Sequence, residues 1–307
     1  MAELSSVLEC GVNYCEKKYQ LQIHSFCCAT PARAFVKCVT GHSGYGGCDK
    51  CEQHGKYVKS VTFPESHAKL CTDESFAAMT DEGHHSRNSL SPLMSLPIGM
   101  VSQFPIDYMH LVCLGVMRKL VSLWMHGPLR TRLGLHSVEQ INVSLKRHIP
   151  SEFQRKPRSL SKYERWKAIE YRQLLLYTGP VVLSGVLPTA LYDNFMLLSV
   201  AISIFVNPSV CHDMCDYGHS LLLLFVEHFG QLYGTDKISY NVHGLVHLRD
   251  DVKSFGHLDR VSSFPYENYL GKIKKLLKKT HSPLQQVVRR LSEPCGFPVV
   301  RVTVRVS

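Results

Sequence analysis

The sequence predicts a mainly helical α/β chain, and three observations carry that expectation. From Tyr108 onward helical spacing takes over, with Met109, Val112, Val116, Leu120 and Leu123 on one face. The stretches 163–187, 191–205 and 212–233 have the length and apolar content of packed helices. Strand-like alternation is confined to 20–28 and to the tail 293–307. The 307 residues suffice for one large domain or two small ones with a real core. At 45% apolar and 20% charged, the composition is globular.

Taken in order, residues 2–18 read as a helix and 20–28 as a short strand ending in the apolar run FCCA. Pro31 then opens a helix over 32–39, since proline is favoured in a first turn. Glycines at 41–47 form a turn leading into Cys48 and Cys51. Residues 52–97 are loop-like, and 130–162 is a basic connector broken by Pro150 and Pro157. Two last helices are expected over 265–279 and 283–291.

Several function classes are set aside. The opening MAELSSVLEC has no basic segment followed by an apolar one, which argues against secretion. The apolar stretch 181–206 is interrupted by Ser184, Gly185, Pro188, Asp193 and Asn194, so it reads as buried helix and no membrane partner is expected. A net charge of +10 favours a polyanionic partner. Twelve cysteines and 17 histidines in a chain read as intracellular suggest reduced thiols and a metal site, not a disulfide framework.

The sharpest local signal is Cys48-x-x-Cys51, because a tight knuckle points two sulfurs at one ion. Its complement is His243 and His247, four apart and so on one helical face, able to close a Cys2His2 tetrahedron around structural zinc. The competing reading makes both histidines ordinary half-buried polar residues. His84 and His85 read as solvent-facing, and Cys211 and Cys215, with His212 and His219, as core. Cys27 and Cys28 also read as core. Asp107 stands at a helix start, either as a cap or as a carboxylate presented with His110. Glu267 falls in the first turn of a helix. Lys272, Lys274, Lys275, Lys278, Lys279, Arg289 and Arg290 follow it, with Ile273, Leu276 and Leu277 turned inward. That pattern suits a helix lying along a phosphate backbone, or simply a solvated face.

Several strings in order resemble the transposase of CACTA (En/Spm-type) DNA transposons and animal proteins derived from it. They are PARAFVK at 31–37, GHSGYGGCDKC at 41–51, FPIDYMHLVCLGVMRK at 104–119, WKAIEYR at 166–172, LYTGPVVL at 176–183, YNVHGLVHL at 240–248 and FPYENYLGK at 264–272. The resemblance spans about residues 1–292. It implies a partial RNase H-like core interrupted by a large helical insertion. Residues 1–51 would be core ending in the CxxC knuckle, 52–239 loop and insertion, 240–292 the HxxxH segment and last core helix, and 293–307 a tail.

Such enzymes hold two Mg or Mn ions on three carboxylates for in-line displacement at phosphorus. Their CxxC and HxxxH pairs are similar to the zinc-binding pairs of Transib transposases and the V(D)J recombinase. Glu267 matches the third acid. Where the family pattern has an Asp before Pro-Ala-Arg, this chain has Ala29, and Asp107 is a distant substitute. The first acid belongs on a strand upstream of residue 1, so the resemblance implies a core truncated on its N-terminal side.

The expectation is therefore a zinc-binding, transposase-like protein without cleavage activity, with DNA as partner and, more weakly, a nuclear location. A homo-oligomer or a full-length transposase are further possible partners. The alternatives are an active metal-dependent nuclease completed by a partner chain, and a zinc-stabilised interaction scaffold that binds no DNA.

Overall fold

In a computed structural model of the chain, the described residues are 2–85, 90–147, 153 and 158–292. The described residues are 57% helix and 6% strand, which bears out the mainly helical expectation. Among the described residues the sheets are two small antiparallel pairs, and they do not by themselves establish an RNase H-like core. The chain divides into two compact units, Met1–His24 with Ser263–Ser307, and Ser25–Ser262.

The first unit opens with α1 (Ala2–Cys10), much shorter than the helix expected over 2–18. Residues 12–19 instead form a hairpin of β1 (Val12–Tyr14) and β2 (Lys17–Tyr19), with Tyr14 opposite Lys17. Cys15 and Glu16 between them both have positive φ, 48° and 60°, the combination that a two-residue type I′ turn requires. Turn geometry overrides the helical propensity of this segment.

In the second unit, residues 26–28 are extended but form no strand of a sheet, contrary to the strand expected over 20–28. The Phe26 amide donates to the carbonyl of Gln103, Cys28 makes a single parallel bridge with Ile106, and the rings of Phe26 and Phe104 stack at 4.8 Å. Next comes α2 (Thr30–Lys37), with proline in its first turn as expected and Cys38 in the left-handed region ending it. The 52–97 region contains β3 (Lys56–Tyr57), β4 (Val61–Thr62) and α3 (Asp73–Ala77).

A π-helical run, Met109–Met117, passes without a break into α4 (Arg118–His126). Val112, Cys113, Val116, Met117, Leu120, Val121 and Trp124 along it are fully buried, and this rod is the centre of the unit. Against it packs α6 (Ala168–Gln173), which leads through a second π-helical turn to α7 (Gly179–Val182), and α5 (Leu135–Arg147) rests on α7. Pro150 and Pro157 of the expected connector lie outside the described residues, as does the tail 293–307.

The paired helices α8 (Thr189–Val206) and α9 (Cys215–Tyr233) pack along each other. In length and composition alone α8 is long and apolar enough to cross a membrane, and half of it is buried in protein. Its fully buried Asn194 donates to the carbonyl of Phe225 in α9, the hydrogen bond such an amide needs away from water. Trp124 Nε1 donates to the Tyr233 hydroxyl at 2.9 Å and ties α9 to the central rod. After it come α10 (Tyr240–His243), a 3-10 turn (Gly244–His247) and α11 (Leu248–Phe255). The chain then re-enters the first unit with α12 (Phe264–Leu276) and α13 (Pro283–Ser292).

Candidate metal centre

The two halves of the expected site meet. Cys48, Cys51, His243 and His247 are 2%, 1%, 1% and 4% exposed, and their ligand atoms all lie within 4.8 Å of one another. Cys48 Sγ is 3.6 Å from Cys51 Sγ and 3.5 Å from His247 Nε2. Cys51 Sγ is 3.2 Å from His243 Nε2, and the two imidazole Nε2 atoms are 3.2 Å apart. A tetrahedral zinc with Zn–S near 2.3 Å and Zn–N near 2.0 Å needs edges of about 3.8 Å for S···S, 3.3 Å for N···N and 3.5 Å for S···N. These four of the six edges match that tetrahedron to within a few tenths of an ångström, and the other two are no longer than 4.8 Å. Among the described residues this is the one such cluster.

Backbone construction explains how residues nearly 200 apart converge. Gly46 lies so close to the backbone of Gly83 that a Cβ would sit 2.3 Å from the Gly83 carbonyl oxygen, so the knuckle can seat there only without a side chain. On the histidine side, Gly115 of the central rod lets Asn241 approach to where a Cβ would be 2.7 Å away, pressing α10 against the rod. The His243 ring stacks on Phe63 at 5.7 Å, and the Gln53 amide stands 3.1 Å from its Nδ1. A partner on the second ring nitrogen is what orients a metal-bound imidazole.

The residues between the cysteines were not singled out from sequence, and they hold the knuckle in place. Asp49 Oδ2 is 3.1 Å from Arg33 Nε and 3.0 Å from Lys37 Nζ, and all three side chains are buried. Burial alone would push the Asp49 carboxyl up, but Arg33 and then Lys37 hold it well below the usual carboxylate range. Burial lowers Lys37, with Asp49 opposing the shift, and its ammonium lies over the rings of Phe76 and Phe104. Arg33 also donates to the Pro105 carbonyl at 3.2 Å and to the Tyr240 hydroxyl. Lys50 is 3.1 Å from Asp251 Oδ1 on α11, and Asp251 Oδ2 accepts from the Ile106 amide at 2.7 Å. One available signal was Arg33 and Lys37 at i and i+4 of a short helix, facing the same way.

The remaining sites resolve individually. Asp107 is buried, accepts from the amides of Met109 and His110 and so caps the rod, and its carboxylate also pairs with His110 Nδ1. The Cys28–Ile106 bridge puts Asp107 beside Ala29, a proximity that chain distance concealed. Glu267 is exposed in the first turn of α12, where its charge complements the helix end.

The basic series is not one helix. Lys272, Lys274 and Lys275 lie on α12, and Lys278 and Lys279 fall past its end. Arg289 and Arg290 lie on α13. Gln286 fixes the turn between the helices, accepting from the amides of Lys278 and Lys279 at 2.9 and 3.1 Å. His84, expected at the surface, is 3% exposed with Nδ1 2.7 Å from the Gly46 carbonyl oxygen. Cys211 and Cys215 are buried beside backbone carbonyls, which fits the core reading.

The fold and site together define a helical protein closed by a buried cluster compatible with Cys2His2-type metal binding. No protein-family model matches the chain, and no curated protein matches it.

Proposed function

We propose that the chain is a transposase-derived, zinc-stapled DNA-binding protein without cleavage activity of its own. The observation that carries the zinc is the buried convergence of Cys48, Cys51, His243 and His247, with four of their six ligand-atom separations at zinc-site lengths. Thiolate and imidazole donors at those edges suit a closed, structural zinc site, which supplies folding energy and leaves no position for a substrate. The transposase ancestry rests on the ordered strings quoted above. The DNA reading rests on exposed Lys272, Lys274, Lys275, Lys278 and Lys279 with Arg289 and Arg290, in a chain of net charge +10.

Binding to duplex DNA should weaken steeply as salt rises, because each neutralised phosphate releases counterions. Replacing Lys272 and Lys275 together by alanine should reduce the slope of log affinity against log salt by roughly two, at about 0.9 per contact. Fluorescence anisotropy between low and physiological salt measures this. A flat salt dependence in the wild-type chain would favour the scaffold reading.

Inactivity follows from Ala29, whose methyl group cannot ligate a cation. Restoring the acid with Ala29→Asp is expected to give no nicking of supercoiled plasmid in Mg or Mn, since the first of the three carboxylates would still be missing. The position of Asp107 beside Ala29 favours one second reading, in which Asp107 serves as an acid and a partner chain completes the set. Metal-dependent nicking by the unmodified chain, lost in Asp107→Asn, would establish it.

A further inference from the structure

Exchange of an ion at a buried tetrahedral centre requires one ligand to detach and space for it to move into. Three of the four ligands are backed by packed protein. Cys48 and Cys51 belong to the knuckle that Asp49 and Lys50 tether on two sides. The His243 ring is covered by Phe63 and met by Gln53. His247 differs, for it forms part of the wall of a cavity of about 350 Å3. The same cavity is lined by Lys50, Cys71, Glu74, Asp250 and Ser254, and Glu74 and Ser254 are exposed at its rim. Asp73 and Asp251 also line it; Lys50 pairs with Asp251 and Arg249 with Asp250, which leaves Asp73 and Glu74 to give the cavity its negative sign. A concave surface of that sign raises the local concentration of cations.

We infer that this cavity is the port by which the metal enters and leaves, with His247 the ligand that detaches into it. The inference rests on the zinc reading of the four ligands and adds to it a route and an order of events. The imidazole is a neutral ligand, so its departure separates no unit charges, whereas a departing thiolate would. The cavity has volume for the displaced ring and for an incoming chelator. The acidic rim lies on the path of a cation arriving from solvent.

The test uses the full chain loaded with zinc, releasing the ion to excess 4-(2-pyridylazo)resorcinol and followed by absorbance. Ser254→Trp, which fills the mouth from α11, should slow release at least fivefold while the chain still holds about one zinc. Glu74→Lys should slow loading from dilute zinc several-fold at low salt, with the difference shrinking as ionic strength rises. Leu224→Trp, in a separate groove on α9, should leave both rates unchanged. If Ser254→Trp does not fold, Glu74→Lys alone decides. Wild-type rates in both rim variants, with full metal, would overturn the port. A wild-type chain that takes up no zinc would instead overturn the metal reading on which the port stands.

Discussion

Cys48→Ser is expected to remove the bound zinc and lower the melting temperature by about 10 °C, and His247→Ala should do the same. Each variant leaves three ligands, and a closed site with an oxygen or a gap in one corner loses most of its affinity. If zinc exceeds its dissociation constant a thousandfold, binding stabilises the fold by about 4 kcal/mol. At roughly 2–4 °C per kcal/mol for a body of this size, that is a fall of about 8–16 °C. Elemental analysis and thermal melting of the same samples test the two effects together. Chelation of the wild-type chain should reproduce the melting shift, and a variant with full metal and an unchanged melt would refute the site.

The second large effect is expected at a residue that binds no metal. Asp49→Ala leaves Arg33 and Lys37 buried beside each other with no counter-charge, where Asp49 now sits 3.1 and 3.0 Å from them. Removing one partner of a buried ion pair costs about 3–5 kcal/mol, against less than about 1 kcal/mol for an exposed pair. Urea unfolding of the zinc-loaded proteins measures the loss, and Lys37→Met in the Asp49→Ala background should recover part of it. A loss under about 1 kcal/mol would mean that water reaches the network. The pH dependence has a definite sign. The folded Asp49 carboxyl lies below its unfolded value of roughly 4, so its contribution is present above that pH and is lost as pH falls through the folded value. Metal binding is itself pH-dependent, so the difference between wild type and Asp49→Ala isolates the carboxylate.

The parts legible in the sequence are those with a period or a spacing. The rod beginning near Tyr108, α8, α9, α12 and α13 all follow from apolar periodicity, and α2 follows from Pro31. The Cys and His pairs were legible because metal ligands have few permissible separations. The hairpin at 12–19 was not, since its turn depends on positive φ at Cys15 and Glu16, residues that do not advertise it. Extended residues 26–28 pair with a segment nearly 80 positions away, and local alternation cannot distinguish one bridge from a sheet strand. The Arg33–Asp49–Lys37 network was hidden for a related reason. Charged residues are ordinarily read as surface, and only tertiary packing shows that these three are enclosed.

The separation of the ligands along the chain has a consequence during synthesis. A ribosome adding about 5–20 residues per second needs roughly 10–40 s to pass from Cys51 to His247. Through that interval the nascent chain displays a thiol pair with no imidazoles to complete it. Two thiols on a short knuckle are open to oxidation and to capture by softer metals such as Cu(I). If the four residues hold zinc, maturation of the chain would depend on the thiol and metal chemistry of the compartment in which it is translated.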